Sequence, residues 1–385
     1  MSSRPVTLEY QKGTIVVKGL DSLPYAKFDS RTNYLYSYGI NYKKITQYLN
    51  ERNVRYEDKV LDLLPLGKLP KLKIKLRDYQ QEAIENWRLE KRGSIVLPTG
   101  AGKTIIALKI IEIVNSPTLI IVPTLDLIKQ WTEILSLNFN IEIGNIGGGL
   151  ENLQPITVST YDSAYIKGHL IGNRFLLMIF DEVHHLPAPS YRLIAETFVA
   201  PFRLGLTATI EREDHLEEDF PFLIGKTVFQ ITAKELARNN YLANYTLEKR
   251  QTFMSAQEYL EYKEKMGIYH TCLKKIGLKI NSRGAFKRLI IISSKNIVAR
   301  HALLARNKAM DIALNSRSKI DEIRKILCEY KDIKTIIFTQ HNKLVYEISD
   351  IFLIPFITHK SSKEEREDVI NGFKDGRYKA IVTSK

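Results

Sequence analysis

The chain has 385 residues, a length that favours two or three domains over a single compact core. Hydrophobic residues make up 44% of it, yet no apolar run approaches the ~20 residues of a membrane span, and the N-terminal residues lack the apolar core of a signal peptide. We therefore expect a soluble, intracellular protein with no membrane partner. Cys272 and Cys328 stand far apart, which disfavours a disulfide framework, a zinc finger and a four-cysteine iron–sulfur cluster.

The balance of charged residues is strongly basic. Lys and Arg number 57 against 43 Asp and Glu, a formal net charge of +14, which suggests a polyanionic partner. The alternative is a thermophile composition, rich in Lys, Ile, Glu and Tyr for reasons of stability. Basic residues concentrate between Lys234 and Lys334, and this clustering favours the first interpretation more than the total charge does.

Residues 1–65 are predicted to form a small separate α+β module. We expect a hairpin that turns at Lys12-Gly13, a strand over residues 33–38 and a helix over residues 41–52. Eight tyrosines fall between Tyr10 and Tyr56, beside several basic residues. Aromatic and basic side chains together suit contact with nucleic acid, although filling the core of the module explains most of these tyrosines.

The next segment, Lys71 to Trp87, carries the candidates for contact with a nucleotide base. The amide of Gln80 offers a donor and an acceptor together, which matches the edge of adenine. Gln80 also stands just ahead of a strand that leads into a glycine-rich loop. We count Arg77 with it as a nucleotide-binding candidate. Without the loop that follows, Gln80 would be an ordinary surface glutamine.

The glycine-rich loop Leu97 to Thr104 lies between a strand candidate, residues 94–96, and a helical pattern, residues 105–113. Strand, glycine loop and helix are the context of a phosphate-binding P-loop, because successive N–H groups and a helix N-terminus then point at one polyphosphate. Lys103 is predicted to reach the β- and γ-phosphates of ATP, and Thr104 to hold Mg²⁺. Backbone contacts are expected from the other loop residues: Thr99, Gly100, Ala101 and Gly102. Leu97 stands where the strict pattern has glycine, so the P-loop is a relaxed one, and an ordinary glycine-rich turn is the alternative.

After the P-loop, apolar strands alternate with helical patterns. Strands are expected at residues 117–122, 156–159, 175–180 and 202–206, with helices that open at Leu125 and near Thr160. This alternation predicts a parallel sheet with helices on both faces. In such a sheet the ligand site lies at the carboxyl ends of the strands.

A pair of carboxylates, Asp181-Glu182, directly follows the apolar strand at residues 175–180. With a P-loop in the same sheet, Asp181 is predicted to bind the Mg²⁺ shared with Thr104, and Glu182 to polarise the water that attacks the γ-phosphate. Taken alone, an Asp-Glu dipeptide is usually a surface loop. The combination with the P-loop favours nucleotide hydrolysis.

Small polar residues near the carboxylates are candidates for coupling. His184 or His185 would sense the γ-phosphate, and the hydroxyls of Thr207 and Thr209, after the next strand, would couple the carboxylate loop to a neighbouring lobe by hydrogen bonds. A His-His pair is usually a surface feature, and Thr-Ala-Thr by itself carries no information.

The P-loop, the DExH carboxylates and Thr-Ala-Thr, in this order, resemble the first motor lobe of a superfamily 2 helicase. Five segments together resemble the xeroderma pigmentosum group B (XPB) type of DNA helicase, particularly its short archaeal forms: Leu76 to Gln80, Leu97 to Thr104, Val122 to Trp131, Asp181 to Pro187 and Arg212-Glu213-Asp214. The similarity spans nearly the whole chain. It implies an α/β fold with two RecA-like parallel-sheet lobes, the second incomplete, a small N-terminal α+β domain and a helical thumb-like insertion.

The resemblance also implies domain boundaries. They are a damage-recognition-like domain at 1–65, helicase lobe 1 at 66–232, a thumb-like DNA-contacting insertion at 233–299 and lobe 2 at 300–385. In lobe 2 we predict a helix over Arg317 to Glu329, a buried strand over Thr335 to Phe338, a helix over Ser361 to Phe373 and a strand over Lys379 to Val382. The Asp-Glu-Gly-type motif and the arginine motif of a complete lobe do not follow, so we expect a truncated form.

By resemblance, the function is that of an ATP-dependent DNA helicase or double-strand translocase with 3′ to 5′ polarity. It would act in nucleotide excision repair or in transcription-linked duplex opening. DNA would contact Pro123 and Thr124, and the Arg212-Glu213-Asp214 triplet would take part in duplex opening. A nuclease or another repair or transcription protein is the expected partner. The protein would be associated with the nucleoid in an archaeon and nuclear in a eukaryote.

Two alternatives stay open. One is another superfamily 2 motor, such as the motor subunit of a restriction system or an RNA helicase. The other is a nucleotide-gated DNA-binding protein with little turnover, because the arginine motif is missing and loss of a charge-stabilising arginine typically costs ~10³ to 10⁵ in turnover.

Overall fold

A computed structural model describes residues 5–209, 216–243, 245–280 and 283–384. The chain divides into two compact units, Met1–Thr246 and Leu247–Lys385. Both combine helices with parallel strands, which confirms the predicted α/β class. The finer division into four parts remains a prediction.

The first unit opens with a small mixed sheet and one helix. Its elements are β1 (Val6–Gln11), β2 (Thr14–Lys18), β3 (Lys27–Asp29), β4 (Tyr34–Tyr38), α1 (Tyr42–Glu51) and β5 (Tyr56–Lys59). The described strands lie in the order β3-β4-β2-β1-β5, antiparallel except for the pair β1 and β5. Lys12 and Gly13, with φ of 48° and 90°, form the tight turn that two-residue hairpins require. The predicted hairpin, strand and helix are confirmed.

A larger sheet follows in the same unit. Its strands are β6 (Arg92–Val96), β7 (Thr118–Val122), β8 (Gly144–Gly147), β9 (Leu150–Asn152), β10 (Ile156–Thr160), β11 (Leu177–Asp181), β12 (Phe202–Thr207) and β13 (Thr227–Gln230). Within the described residues they lie in the order β13-β6-β12-β11-β7-β10-β8-β9, and every neighbouring pair except β8 and β9 is parallel. The predicted parallel sheet is therefore confirmed.

Helices cover both faces of this sheet. They are α2 (Asp78–Glu90), α3 (Lys103–Val114), α4 (Leu125–Phe139), α5 (Tyr161–Ile171), α6 (Pro189–Thr197), α7 (Phe220–Leu223) and α8 (Ala233–Arg238). Residues of β7 alternate between two buried cores: Ile120 packs in the core that contains Trp87 and Trp131, and Ile121 packs in the core that contains Tyr161 and Phe180. Alternation of this kind explains why residues 119–122 of the strand are all apolar, since both of its faces are buried.

The small sheet packs against the second of these cores through α5 and α6. The Tyr10 hydroxyl donates to the carbonyl oxygens of Gly168 (3.1 Å) and Thr197 (3.3 Å). The Asn173 side chain donates to the Val60 carbonyl at 2.8 Å, and Val199 is buried in the core of the small sheet. The two sheets therefore belong to one unit.

The second unit begins with helices and ends with a small sheet. Its elements are α9 (Ala256–Lys275), α10 (Arg283–Ser293), α11 (Ile297–Leu314), α12 (Arg317–Glu329), β14 (Thr335–Thr339), α13 (Asn342–Phe352), β15 (Phe356–Ile357), α14 (Lys363–Asp375) and β16 (Ala380–Ser384). Tyr269 and Leu273 of α9 share a core with Ala299 and Ala302 of α11. The described strands form a parallel sheet in the order β14-β16-β15.

The burial predicted for the strand at Thr335 to Phe338 is wrong. Ile337 packs in a core with Ile320 and Val382, but Ile336 is 45% exposed and Phe338 69% exposed. The reason is that β14 is an edge strand and, among the described residues, only its face toward this core is covered. An apolar run indicates a strand but does not say how many of its faces are packed.

Two strands of the large sheet, β8 and β13, are not predicted by the sequence patterns. The strand β8 contains two of the glycines around Asn145-Ile146, and β13 has only four residues, so neither shows the apolar run that predicts a buried strand. Among the described residues, none of the helices has both the length and the apolar composition needed to cross a bilayer.

Candidate functional site

The candidate site lies at one edge of the eight-stranded sheet, where parallel strands end. The neighbouring strands β6, β12, β11 and β7 run respectively into the P-loop, Thr207, the Asp181-Glu182 pair and Pro123-Thr124. Because the carboxyl ends of parallel strands meet at the same edge, segments distant in sequence are brought together here.

The P-loop backbone curls sharply before helix α3. Gly100 and Gly102 have φ of +82° and +83°, in the left-handed region where a residue without Cβ is favoured. The Lys103 side chain, 13% exposed, lies with its Nζ 3.3 Å from the Leu97 carbonyl oxygen and 3.7 Å from Glu182 Oε1. The cation thus lies between the P-loop and the carboxylate loop, as expected for a phosphate-binding lysine.

Gln80 packs directly under the P-loop. It is 2% exposed, its Nε2 donates to the Ala101 carbonyl at 3.1 Å, and its Oε1 accepts the Arg77 backbone N–H at 3.0 Å. The Tyr79 hydroxyl donates to the same Ala101 carbonyl at 2.7 Å. Both ends of the Gln80 amide therefore have protein partners, and adenine recognition by this residue remains a prediction.

Arg77 lies beside Gln80 at the start of α2 and faces an aromatic pair. Its Nη1 contacts the Tyr79 hydroxyl at 3.1 Å and the Tyr241 carbonyl at 3.2 Å, and its guanidinium lies over the Tyr241 ring. The Tyr79 and Tyr241 rings are edge to face, 5.2 Å apart. Tyr79 and Tyr241 thus pack against each other and contact Arg77. No local sequence pattern indicates this contact.

Asp181 is held by two donors from different elements. Its Oδ2 accepts the Trp131 indole N–H at 2.9 Å, and its Oδ1 accepts the Glu182 backbone N–H at 3.1 Å. Burial raises the pKa of Asp181 above its ordinary value, and the Trp131 hydrogen bond opposes that shift. The Tyr161 hydroxyl donates to the Asp181 carbonyl at 3.0 Å. Neither Trp131 nor Tyr161 was predicted to touch this carboxylate pair, although Trp131 lies within one of the motifs.

Glu182 and the predicted coupling residues form one polar cluster. His184 Nδ1 lies 3.4 Å from Glu182 Oε2 and 3.1 Å from Thr207 Oγ1. The Thr207 hydroxyl also donates to the Thr209 carbonyl at 2.7 Å, and the His185 ring stacks against His184 at 4.3 Å. The hydrogen bond with His184 lowers the pKa of Glu182, so this carboxylate is ionised at neutral pH.

The donor set fits a magnesium ion bound together with a polyphosphate. Mg²⁺ prefers oxygen ligands and in nucleotide sites takes one or two from the protein, with water and phosphate completing its shell. Thr104, half-buried in the first turn of α3, supplies a hydroxyl. Each Asp181 oxygen accepts one of the two hydrogen bonds above, which leaves acceptor capacity on both.

The DNA-contact candidates are only partly described. Thr124 caps helix α4 by accepting the Leu127 N–H at 3.3 Å, and it is exposed at the end of β7 beside the partly buried Pro123. An exposed helix N-terminus favours an anion such as a phosphate. Arg212, Glu213 and Asp214 lie outside the described residues.

Fold and site together define a class: the parallel sheet, the P-loop and the carboxylate pair are those of a helicase-type P-loop motor. The family described as type III restriction enzyme, res subunit, matches residues 73–212. The xeroderma pigmentosum group B helicase damage recognition domain matches residues 8–60.

The DNA 3′-5′ translocase XPB2 of Sulfurisphaera tokodaii is 44% identical over 98% of this chain and 85% of its own length. The chain belongs to the XPB family of DNA helicases. The transcription and DNA repair factor IIH helicase/translocase subunit XPB/SSL2 of Saccharomyces cerevisiae is 28% identical over 58% of this chain and 28% of its own length. Among solved structures, the Pyrococcus furiosus Hef helicase domain is similar, with 18% identity, a TM-score of 0.49 and coverage of 81% of this chain and 87% of that chain.

Proposed function

We propose that this chain is an ATP-dependent motor that translocates along or unwinds DNA. The observation that carries the proposal is the Lys103 ammonium, 3.7 Å from Glu182, beside an Asp181 carboxylate held in place at the end of β11. A phosphate-binding cation, a metal-binding carboxylate and a water-activating carboxylate at one sheet edge are the parts that hydrolysis of a nucleoside triphosphate needs.

The residues divide the chemistry among them. Lys103 and the backbone of residues 99–104 would hold the phosphates of ATP, while Thr104 and Asp181 would hold Mg²⁺, which when bound neutralises charge on the β- and γ-phosphates. Glu182, whose pKa is lowered by His184, would orient the attacking water and accept its proton. Gln80 and Arg77 would contact the base.

DNA supplies the second substrate. Thr124 at the N-terminus of α4 and the basic surplus of the chain support contact with phosphates. The Arg212-Glu213-Asp214 triplet, which lies outside the described residues, would assist strand separation, and residues 233–299 would form the thumb-like grip. The name of the Sulfurisphaera relative supports 3′ to 5′ polarity, and the name of the yeast relative supports work in transcription or DNA repair at the chromosome, with other proteins as partners.

The test is phosphate release from ATP with and without a forked DNA duplex. We expect DNA to stimulate release, and Lys103→Ala to reduce the stimulated rate at least ~100-fold, because a charge that stabilises the transferring phosphoryl group is lost. Lys109→Ala is the matched control: Lys109 lies on the same helix and pairs with Glu112 at 2.6 Å, so its loss should leave the rate within about twofold.

Two outcomes would contradict the proposal. One is release that DNA does not stimulate. The other is stimulated release that survives Lys103→Ala. Binding of both ATP and DNA without stimulated release would instead support a nucleotide-gated DNA-binding protein.

A further inference from the structure

Trp131 links a core helix to the metal-binding end of the sheet. It lies on the buried face of α4 with Ile128, Leu135 and Phe139, and is 3% exposed. A buried indole N–H needs an acceptor, and the acceptor here is a side-chain carboxylate: Nε1 lies 2.9 Å from Asp181 Oδ2, 50 positions away in sequence.

We propose that Trp131 is a positioning residue for the Asp181 carboxylate, fixing its rotation so that its free acceptor positions face the metal. The inference rests on the proposed function. With the Glu182 N–H on the other oxygen at 3.1 Å, the carboxylate is held at both ends. Without Trp131, only the backbone donor would define its orientation.

The chemistry of the indole suits this task. A Lys or Arg at the same place would neutralise the carboxylate and compete with Mg²⁺ for it, whereas an indole N–H is a neutral donor with no acceptor of its own. It orients the carboxylate and leaves its charge available. Groups that orient a metal ligand in this way typically contribute 10- to 100-fold in metal affinity or activity.

The chain offers a matched control in its second tryptophan. Trp87 is fully buried and its Nε1 donates at 2.9 Å to the Arg203 backbone carbonyl. Trp87→Phe and Trp131→Phe therefore each remove one buried indole N–H that has a partner, but only the second removes it from Asp181. Each variant also leaves a single tryptophan as a fluorescent reporter.

The first measurement is a calorimetric titration of Mg²⁺ into each variant saturated with ADP. We expect Trp131→Phe to weaken Mg²⁺ binding ~10- to 100-fold relative to Trp87→Phe, and ADP affinity in the absence of Mg²⁺ to be equal in both. Equal Mg²⁺ affinity in the two folded variants would overturn the inference.

The second measurement does not require Trp131→Phe to fold. In Trp87→Phe, where Trp131 is the reporter, Mg²⁺ added to the ADP complex should shift the emission, because the carboxylate that accepts the indole hydrogen bond binds the ion. An unchanged emission at saturating Mg²⁺ would overturn the inference. DNA-stimulated phosphate release by the wild-type chain distinguishes this failure from failure of the proposed function, which would show no stimulated release at all.

Discussion

Glu182 has a left-handed backbone conformation, with φ of +49°, which costs a non-glycine residue of the order of 1 kcal/mol. Such a conformation persists only where the surroundings hold it. Here the carbonyl oxygen of Asp181, the residue before it, accepts the Tyr161 hydroxyl, and the Glu182 carboxylate faces Lys103 and His184. The turn aims this side chain back toward the P-loop and Lys103, where the proposed hydrolysis would require a water activator.

On the P-loop side of the site, Gly102 also has a left-handed backbone conformation. A Cβ there would lie 2.5 Å from Gln80 Nε2, and its φ is +83°. Gly102→Ala should therefore destabilise the fold by about 1–2 kcal/mol and displace the Gln80 amide from the Ala101 carbonyl, raising the KM for ATP. Urea unfolding and steady-state kinetics would measure the two effects.

The control for this change is Gly67→Ala. An added Cβ at Gly67 has no described atom within 4 Å, so both stability and KM should stay near those of the wild type. A Gly102→Ala protein with unchanged stability would show that the loop conformation is not set by this contact.

The small sheet is attached to α5 and α6 and the segment between them by a few hydrogen bonds and an ion pair. Tyr10 makes two of them, to the carbonyls of Gly168 and Thr197, and Arg174 forms an ion pair with Asp62. Exposed ion pairs contribute little to stability, so the partly buried Tyr10 hydroxyl and the packing of Val199 are the stronger part of this attachment.

Tyr10→Phe removes the hydroxyl and keeps the ring. The Gly168 and Thr197 carbonyls lose the one hydroxyl hydrogen that they share, so we expect a loss of about 1–2 kcal/mol in the free energy of unfolding. Tyr38→Phe, on the same sheet but 50% exposed, is the control and should change it by less than ~0.5 kcal/mol. Denaturant unfolding followed by circular dichroism measures both, and equal losses would contradict the assigned contact.

Tyr10→Phe should also change how the stability of the protein depends on pH in the alkaline range. Burial raises the pKa of Tyr10 above its ordinary value of 10.0, so its contribution to stability is fully present below pH 10 and is lost as the pH rises toward the higher folded value. The wild type should lose stability above pH 10 more steeply than Tyr10→Phe does.

How far these elements could be predicted depends on the range of the interactions involved. The loop from Leu97 to Thr104 and the helix after it follow from glycines and apolar periodicity within a few residues, and both are confirmed. The contact between Trp131 and Asp181 joins residues on different elements, and no local pattern indicates it. The exposure of Phe338 depends on what covers β14, which an apolar run does not state.

The net charge of +14 leads us to expect that DNA binding by the whole molecule weakens as salt rises. Each phosphate that is neutralised releases counterions, and about six to ten such contacts weaken binding ~10³- to 10⁵-fold between 50 and 200 mM salt. We expect the affinity for a forked duplex, measured by fluorescence anisotropy, to fall at least ~100-fold over that range.

A duplex of the same sequence with uncharged methylphosphonate linkages is the control. Its binding should be weak and nearly independent of salt. An affinity for the ordinary duplex that stays flat with salt would show that the basic surplus serves the fold and not the partner.

The attachment of the small sheet has a mechanical consequence. Tyr10, Asn173 and Val199 join it to the helices of the large sheet, so we expect the two sheets to move as one body. We therefore expect any movement of the large sheet to displace the exposed rings of Tyr25 and Phe28 with it. A ligand bound at those rings would therefore move together with the large sheet.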